Sequence, residues 1–149
     1  MADPLGTTAS IIAVLQISGS IISLCLDYRK SVAEAPKDMS DLHTAVTSLR
    51  SVLEDMYQFV DQSVAEGYAF PSIQKNCLEE NGPIRSLQRE LALVETRLQP
   101  LPTDGARQKM KALFANLKWH LDKKEVGNLM SSWEGYKSTL QLALGTDQT

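Results

Sequence analysis

From Met39 onward the chain places an apolar residue at every third or fourth position: Met39, Leu42, Val46, Leu49, Leu53, Met56 and Val60. That alternation draws one apolar seam along a helix. Asp41, Arg50, Glu54, Asp55 and Asp61 fall between the seam positions and give the helix a solvated face. The pattern predicts a helix over 36–65, ending before Gly67. In "EGYAFPS" the glycine and proline mark a loop, after which Ser72 is expected to cap a short helix from Ile73 to Glu80 that "NGP" stops. Pro83 then opens a second seam of Ile84, Leu87, Leu91, Val94, Leu98 and Leu101, so 72–101 reads as a short helix followed by a long one.

After the break at "QPLPTDG", Asp104 or Thr103 is expected to cap a stripe of Met110, Leu113, Phe114, Leu117 and Leu121. "DKKE" then has the form of a capping box, with Asp122 and Glu125 satisfying each other's backbone donors and Leu121 stapling against Val126. The last helix carries Val126, Leu129, Met130, Trp133, Tyr136 and Leu140 and fades by Gly145, which closes a C-terminal helical region over 104–145. No stretch keeps a period of two long enough for a strand. The chain is therefore expected to be all-α, a single domain over 1–149 folded as an up-and-down bundle of about five to six helices. Leu49, Leu53, Leu91, Val94, Leu129 and Trp133 are expected to share its core.

The first segment, 1–33, breaks the pattern of the others. Between Asp3 and Asp27 it has no charged residue. Asp3 before Pro4 suits an N-cap followed by proline at the first helical position, with Thr7 or Thr8 as a later start, and Pro36 ends the helix near Val32. A signal peptide fits poorly, since "MADP" brings an acid and no basic residue precedes Arg29. At 1.5 Å per residue the uncharged run covers roughly 33 Å, enough for a bilayer core of about 30 Å. Thr7, Thr8, Ser10, Gln16, Ser18, Ser20 and Ser23 nevertheless make it less apolar than a dedicated anchor. A bundle helix is thus preferred to a constitutive span. In a bundle, Ile11, Leu15, Ile22 or their neighbours are expected to face inward, while Gly6, Ser10, Ala13, Gly19 and Ser20 let other helices approach.

Charge and chemistry narrow the function by exclusion. With 15 Lys and Arg against 18 Asp and Glu, no overall field favours a polyanion, so nucleic acid is not expected as a partner. Cys25 and Cys77 lie in apolar helical surroundings without a CxxC spacing and read as buried thiols in a reducing compartment. His43 and His120 belong to no metal-binding spacing, and there is neither a phosphate-binding loop nor a nucleophile motif. No enzyme activity, metal or cofactor is expected. Trp119 and Trp133 read as core aromatics rather than interfacial anchors. The basic residues after Asp104, Lys118, Lys123 and Lys124 among them, read first as a solvated face and second as contacts for anionic headgroups.

Three stretches, "MADPLGTTASIIAVLQISGSIISLCLDY", "NGPIRSLQRELALVETRL" and "LKWHLDKKEVGNLMSSWEGYKSTLQLAL", together resemble the N-terminal domain of fungal STAND (NLR-like) proteins, the HeLo-like domain. The resemblance implies a helical bundle that stands ahead of a nucleotide-binding module and acts as an effector of programmed cell death or as an adaptor. Related members are thought to oligomerise and insert their first helix into membranes. Carried onto this chain, the inserting helix comprises Leu5, Gly6, Ile11, Ile12, Val14, Leu15, Ile17, Gly19, Ile21, Ile22, Leu24 and Leu26; Lys118, Lys123 and Lys124 are the headgroup contacts that the basic stretch after Asp104 offers beside it. It further implies self-association, a cytoplasmic protein that moves to the plasma membrane on activation, and a nucleotide-binding NLR-like partner or fused module that this sequence does not contain. The sequence is then an isolated domain or a stand-alone member. The alternative is an adaptor bundle in which the first helix stays buried and partners bind through helix contacts.

Overall fold

A computed structural model describes residues 4–31, 37–98 and 123–149. Within them are five helices and no strand: α1 (Pro4–Ser31), α2 (Lys37–Glu66), α3 (Pro71–Cys77), α4 (Pro83–Leu98) and α5 (Lys123–Gln148). The protein is an all-α helical bundle. The packed pairs α1/α2, α2/α5, α5/α4 and α4/α1 close a ring of four long helices, while α3 lies chiefly against α5.

Side-chain contacts give the helix directions. Gly19 of α1 meets Arg50 of α2, and Ile22 shares a groove with His43 and Thr47, so α1 and α2 run antiparallel. Arg97 pairs with Glu125, whereas Tyr136 hydrogen-bonds Glu90, so α4 and α5 are antiparallel too. Lys137 Nζ donates to Ser48 Oγ at 3.0 Å, and Leu144 shares a groove with Phe59 and Gln62, so α2 and α5 run parallel. Consecutive long helices thus alternate in direction, as in an up-and-down bundle.

The seams meet at the centre. All seven α2 positions from Met39 to Val60 are buried, together with Ile84, Leu87, Leu91, Val94 and Leu98 of α4 and Val126, Trp133 and Leu140 of α5. Two hydroxyls in this core are satisfied within their own helices: Ser18 Oγ donates to Leu15 O at 2.8 Å and Ser63 Oγ to Phe59 O at 2.7 Å. Past α2, Gly67 adopts φ 75°, and the bonds Gly67 N to Val64 O and Tyr68 N to Ser63 O stop the helix in a Schellman arrangement.

Several expectations are corrected. Ser72 does not cap α3, which begins two residues earlier than expected, at Pro71, behind an N-cap position occupied by Phe70. The cap is supplied by Asp147, whose two carboxylate oxygens accept the backbone N–H of Ser72 and of Ile73. Accordingly α5 does not fade at Gly145 but continues to Gln148. α3 ends at Cys77 rather than Glu80, because the chain turns back so tightly that a Cβ on Gly82 would sit 2.8 Å from the Cys77 carbonyl oxygen. Leu129 is half-buried, at the edge of the core. The expected helix after Asp104, Leu101 of the α4 seam, Trp119, His120 and the Asp122 half of the capping box lie outside the described residues.

Candidate functional site

The candidate site is α1. Its inward seam is Ile11, Val14, Ser18, Ile21 and Cys25, stepping by three and four, and each of these residues is fully buried against α2 and α4. Of the expected inward trio, Ile11 is buried, but Leu15 and Ile22 flank the seam and are half-buried. Ile12, Ile17, Gly19 and Leu24 are half-buried as well, Gly6 is exposed, and Leu26 is 41% exposed. Leu5 belongs to the first turn of the helix.

A second register runs along the outside: Gly6, Ala9, Ala13, Gln16, Ser20, Ser23 and Asp27, again in steps of three and four, are each half-buried or exposed. Of the small residues expected to admit other helices, Gly19 does so, facing Arg50 of α2, whereas Gly6, Ala13 and Ser20 fall on the outer register; Ser18 is the one hydroxyl of the buried seam. Reading the helix in heptads separates the two registers, whereas its overall apolar character hides them.

The segment Thr8–Asp27 is long and apolar enough to cross a bilayer, with a mean hydropathy of 2.1, yet 28% of it is buried in the bundle. A helix apolar all round is ordinarily either enclosed by protein or immersed in lipid. Here one stripe is enclosed and both flanks remain at the surface.

Arg50 of α2 reaches the middle of the uncharged helix. Its guanidinium carbon lies 3.6 Å from where a Cβ on Gly19 would be. Arg50 Nε is 3.3 Å from Glu54 Oε1, an ion-pair distance, but is buried without a hydrogen bond of acceptable geometry. Beside it an open groove of about 390 Å³ runs between α1 and α2, with Ile22 on one side and His43, Thr47, Ser51 and Glu54 on the other. Arg50 is spaced as a solvated residue of α2, and its place across α1 follows from how the two helices pack rather than from the α2 pattern.

Of the expected headgroup contacts, Lys124 is exposed, Lys123 is the first residue of α5, and Lys118 lies outside the described residues. Arg97 Nη1 donates to Glu125 Oε1 at 2.6 Å, which ties α4 to the start of α5. Both cysteines are buried thiols. Burial, and secondarily the Asp147 carboxylate, push the Cys77 thiol up to about 12. Burial and then the hydrogen bond to Glu90 raise the Tyr136 hydroxyl above its usual range. Among the described residues no three His, Cys, Asp or Glu side chains converge as metal ligands. Comparison of the chain with protein-family models, curated proteins and solved structures found no match in any of the three.

Proposed function

We propose that this domain is a non-enzymatic effector that acts on membranes, in the manner of the HeLo-like domains it resembles: it self-associates and delivers α1 from the bundle into a bilayer. The observation that carries this reading is the double character of α1. It is uncharged between Asp3 and Asp27 and long enough to span, and among the described residues its fully buried positions are those of the seam from Ile11 to Cys25. Entering lipid covers that seam together with the flanks but uncovers the α2 and α4 surfaces it had packed against, so the helix is tolerable in both settings and energy from self-association moves it between them. The outer register of small residues suits close helix packing in lipid and thus self-association of inserted helices. Exposed Lys124 suits an anionic surface, and the setting is cytoplasmic with relocation to the plasma membrane. The trigger in this reading is an NLR-like nucleotide-binding partner or module.

A second reading is an adaptor with α1 permanently in place, favoured by the full burial of the α1 seam against both α2 and α4. Dye release from vesicles of phosphatidylcholine and phosphatidylserine separates the two. The purified chain should release dye, and Val14→Asp should abolish release, since a charge at mid-helix costs about 2.5–3.5 kcal/mol for insertion. Val14→Ala controls for packing and circular dichroism for folding. Release by folded Val14→Asp protein at the parent rate, or none by the parent in any oligomeric state, would leave the adaptor reading.

A further inference from the structure

α3 has seven residues, too few for a helix to hold itself in water, so what keeps it folded lies outside it. Phe70 at its N-cap position offers no side-chain acceptor. Asp147, in the last turn of α5, takes that role from 74 and 75 positions away: Ser72 N–H donates to Oδ1 at 2.9 Å and Ile73 N–H to Oδ2 at 2.7 Å. The buried residues Phe70, Ile73 and Cys77 anchor α3, which packs mainly on α5 and only marginally on α4.

The last turn of α5 is itself thinly supported. On its α2 side lies an open groove of about 320 Å³ between Gln58, Phe59 and Gln62 and the α5 residues Leu144 and Gln148. Ala143 and Leu144 are still buried in the core, but in the turn that follows them Gly145, Thr146 and Gln148 are exposed. A terminal helical turn also carries carbonyls without intrahelical partners and is the first part of a helix to fray. When it frays, Asp147 leaves α3. When α3 lifts, Asp147 loses both of its donors. Each element therefore holds the other in place.

We infer that α3 and the last turn of α5 form one latched flap, closed by the Asp147 carboxylate, which opens as a unit while the rest of the four-helix ring stays folded and which uncovers the Cys77 side chain. Gly67, in the left-handed region, and the tight turn at Gly82 bound the moving segment. Such sub-global openings are a normal part of a native ensemble. The Cys77 thiol reports on the flap, because burial keeps it protonated while the flap is closed. Cys25, buried between α1 and its neighbours, reports on the rest of the bundle.

The test is alkylation of the full chain by iodoacetamide, with each thiol followed separately by peptide mass spectrometry. In Asp147→Ala, Cys77 should be labelled on the order of tenfold faster, the size expected for a lost cap. Cys25 labelling and helical content should not change. Asp147→Asn keeps the side-chain volume and one acceptor oxygen, so it should give a smaller acceleration, and it supplies the same comparison if the alanine variant does not fold. Cys77 labelling at the parent rate in the folded variants would overturn the latch, and so would equal acceleration of Cys25 and Cys77.

Discussion

Leu53 has no solvent exposure, and it sits on α2 among seam residues that meet both α1 and α5. Leu53→Ala should therefore cost about 2–5 kcal/mol by chemical denaturation, the range for a large-to-small change at a close-packed site. A loss below about 0.5 kcal/mol would mean that the core lies elsewhere. Cys77 makes a different prediction, about pH. Its thiol is held protonated in the fold, with its pKa moved from 9.0 to about 12, whereas in the unfolded chain it ionises normally. Above about pH 9 the unfolded state therefore binds fewer protons than the native one, and stability must fall as pH rises from there toward 12. Tyr136 is raised too and acts in the same direction. Cys77→Ala should remove the thiol's share of this alkaline loss, seen as a shallower dependence of the denaturation midpoint on pH.

At the scale of elements, two glycines that look alike in sequence should respond with opposite signs. Gly127, exposed within α5, has nothing within 4 Å of a prospective Cβ, so Gly127→Ala should stabilise the protein by about 0.5–1 kcal/mol. Gly82→Ala would press its Cβ onto the backbone oxygens of Cys77 and Glu79 at 2.8 and 3.0 Å and should cost about 1–3 kcal/mol. Thermal unfolding of the two variants checks both signs. The long helices were legible because their evidence is local: the Met39 to Val60 seam, Pro83 at a helix start, and Gly67 past a helix end each act within a few residues. The end of α5 and the start of α3 were not, because Asp147 caps a helix some 74 residues away and neither segment contains the other's signal. Leu15, Ile22 and Leu129 show the same limit. Being apolar made them candidates for burial, but their rotation relative to neighbouring helices leaves them at the edge of the core. For the candidate site, the uncharged length of α1 could be read directly. Which stripe it buries, and that Arg50 lies over Gly19, follow only from how α2 and α4 are placed.

At the scale of the bundle, and among the described residues, the ring of four long helices packs α1 against α2 and α4 and leaves its outer register half-buried or exposed. Tertiary packing of one stripe, not enclosure, is what holds an otherwise lipid-compatible helix on the bundle. The central claim is that this helix changes solvent from bundle to bilayer, and a depth measurement tests it directly. Gln16 is exposed and lies near the middle of Thr8–Asp27, so a fluorophore on Gln16→Cys, in a chain with Cys25 and Cys77 replaced by alanine, leaves the buried seam positions free of label. The labelled chain is mixed with anionic vesicles carrying nitroxides either at the headgroup or deep in the acyl chains. Insertion across the bilayer predicts stronger quenching by the deep nitroxide than by the headgroup nitroxide. Quenching by the headgroup probe alone, or by neither, would contradict it.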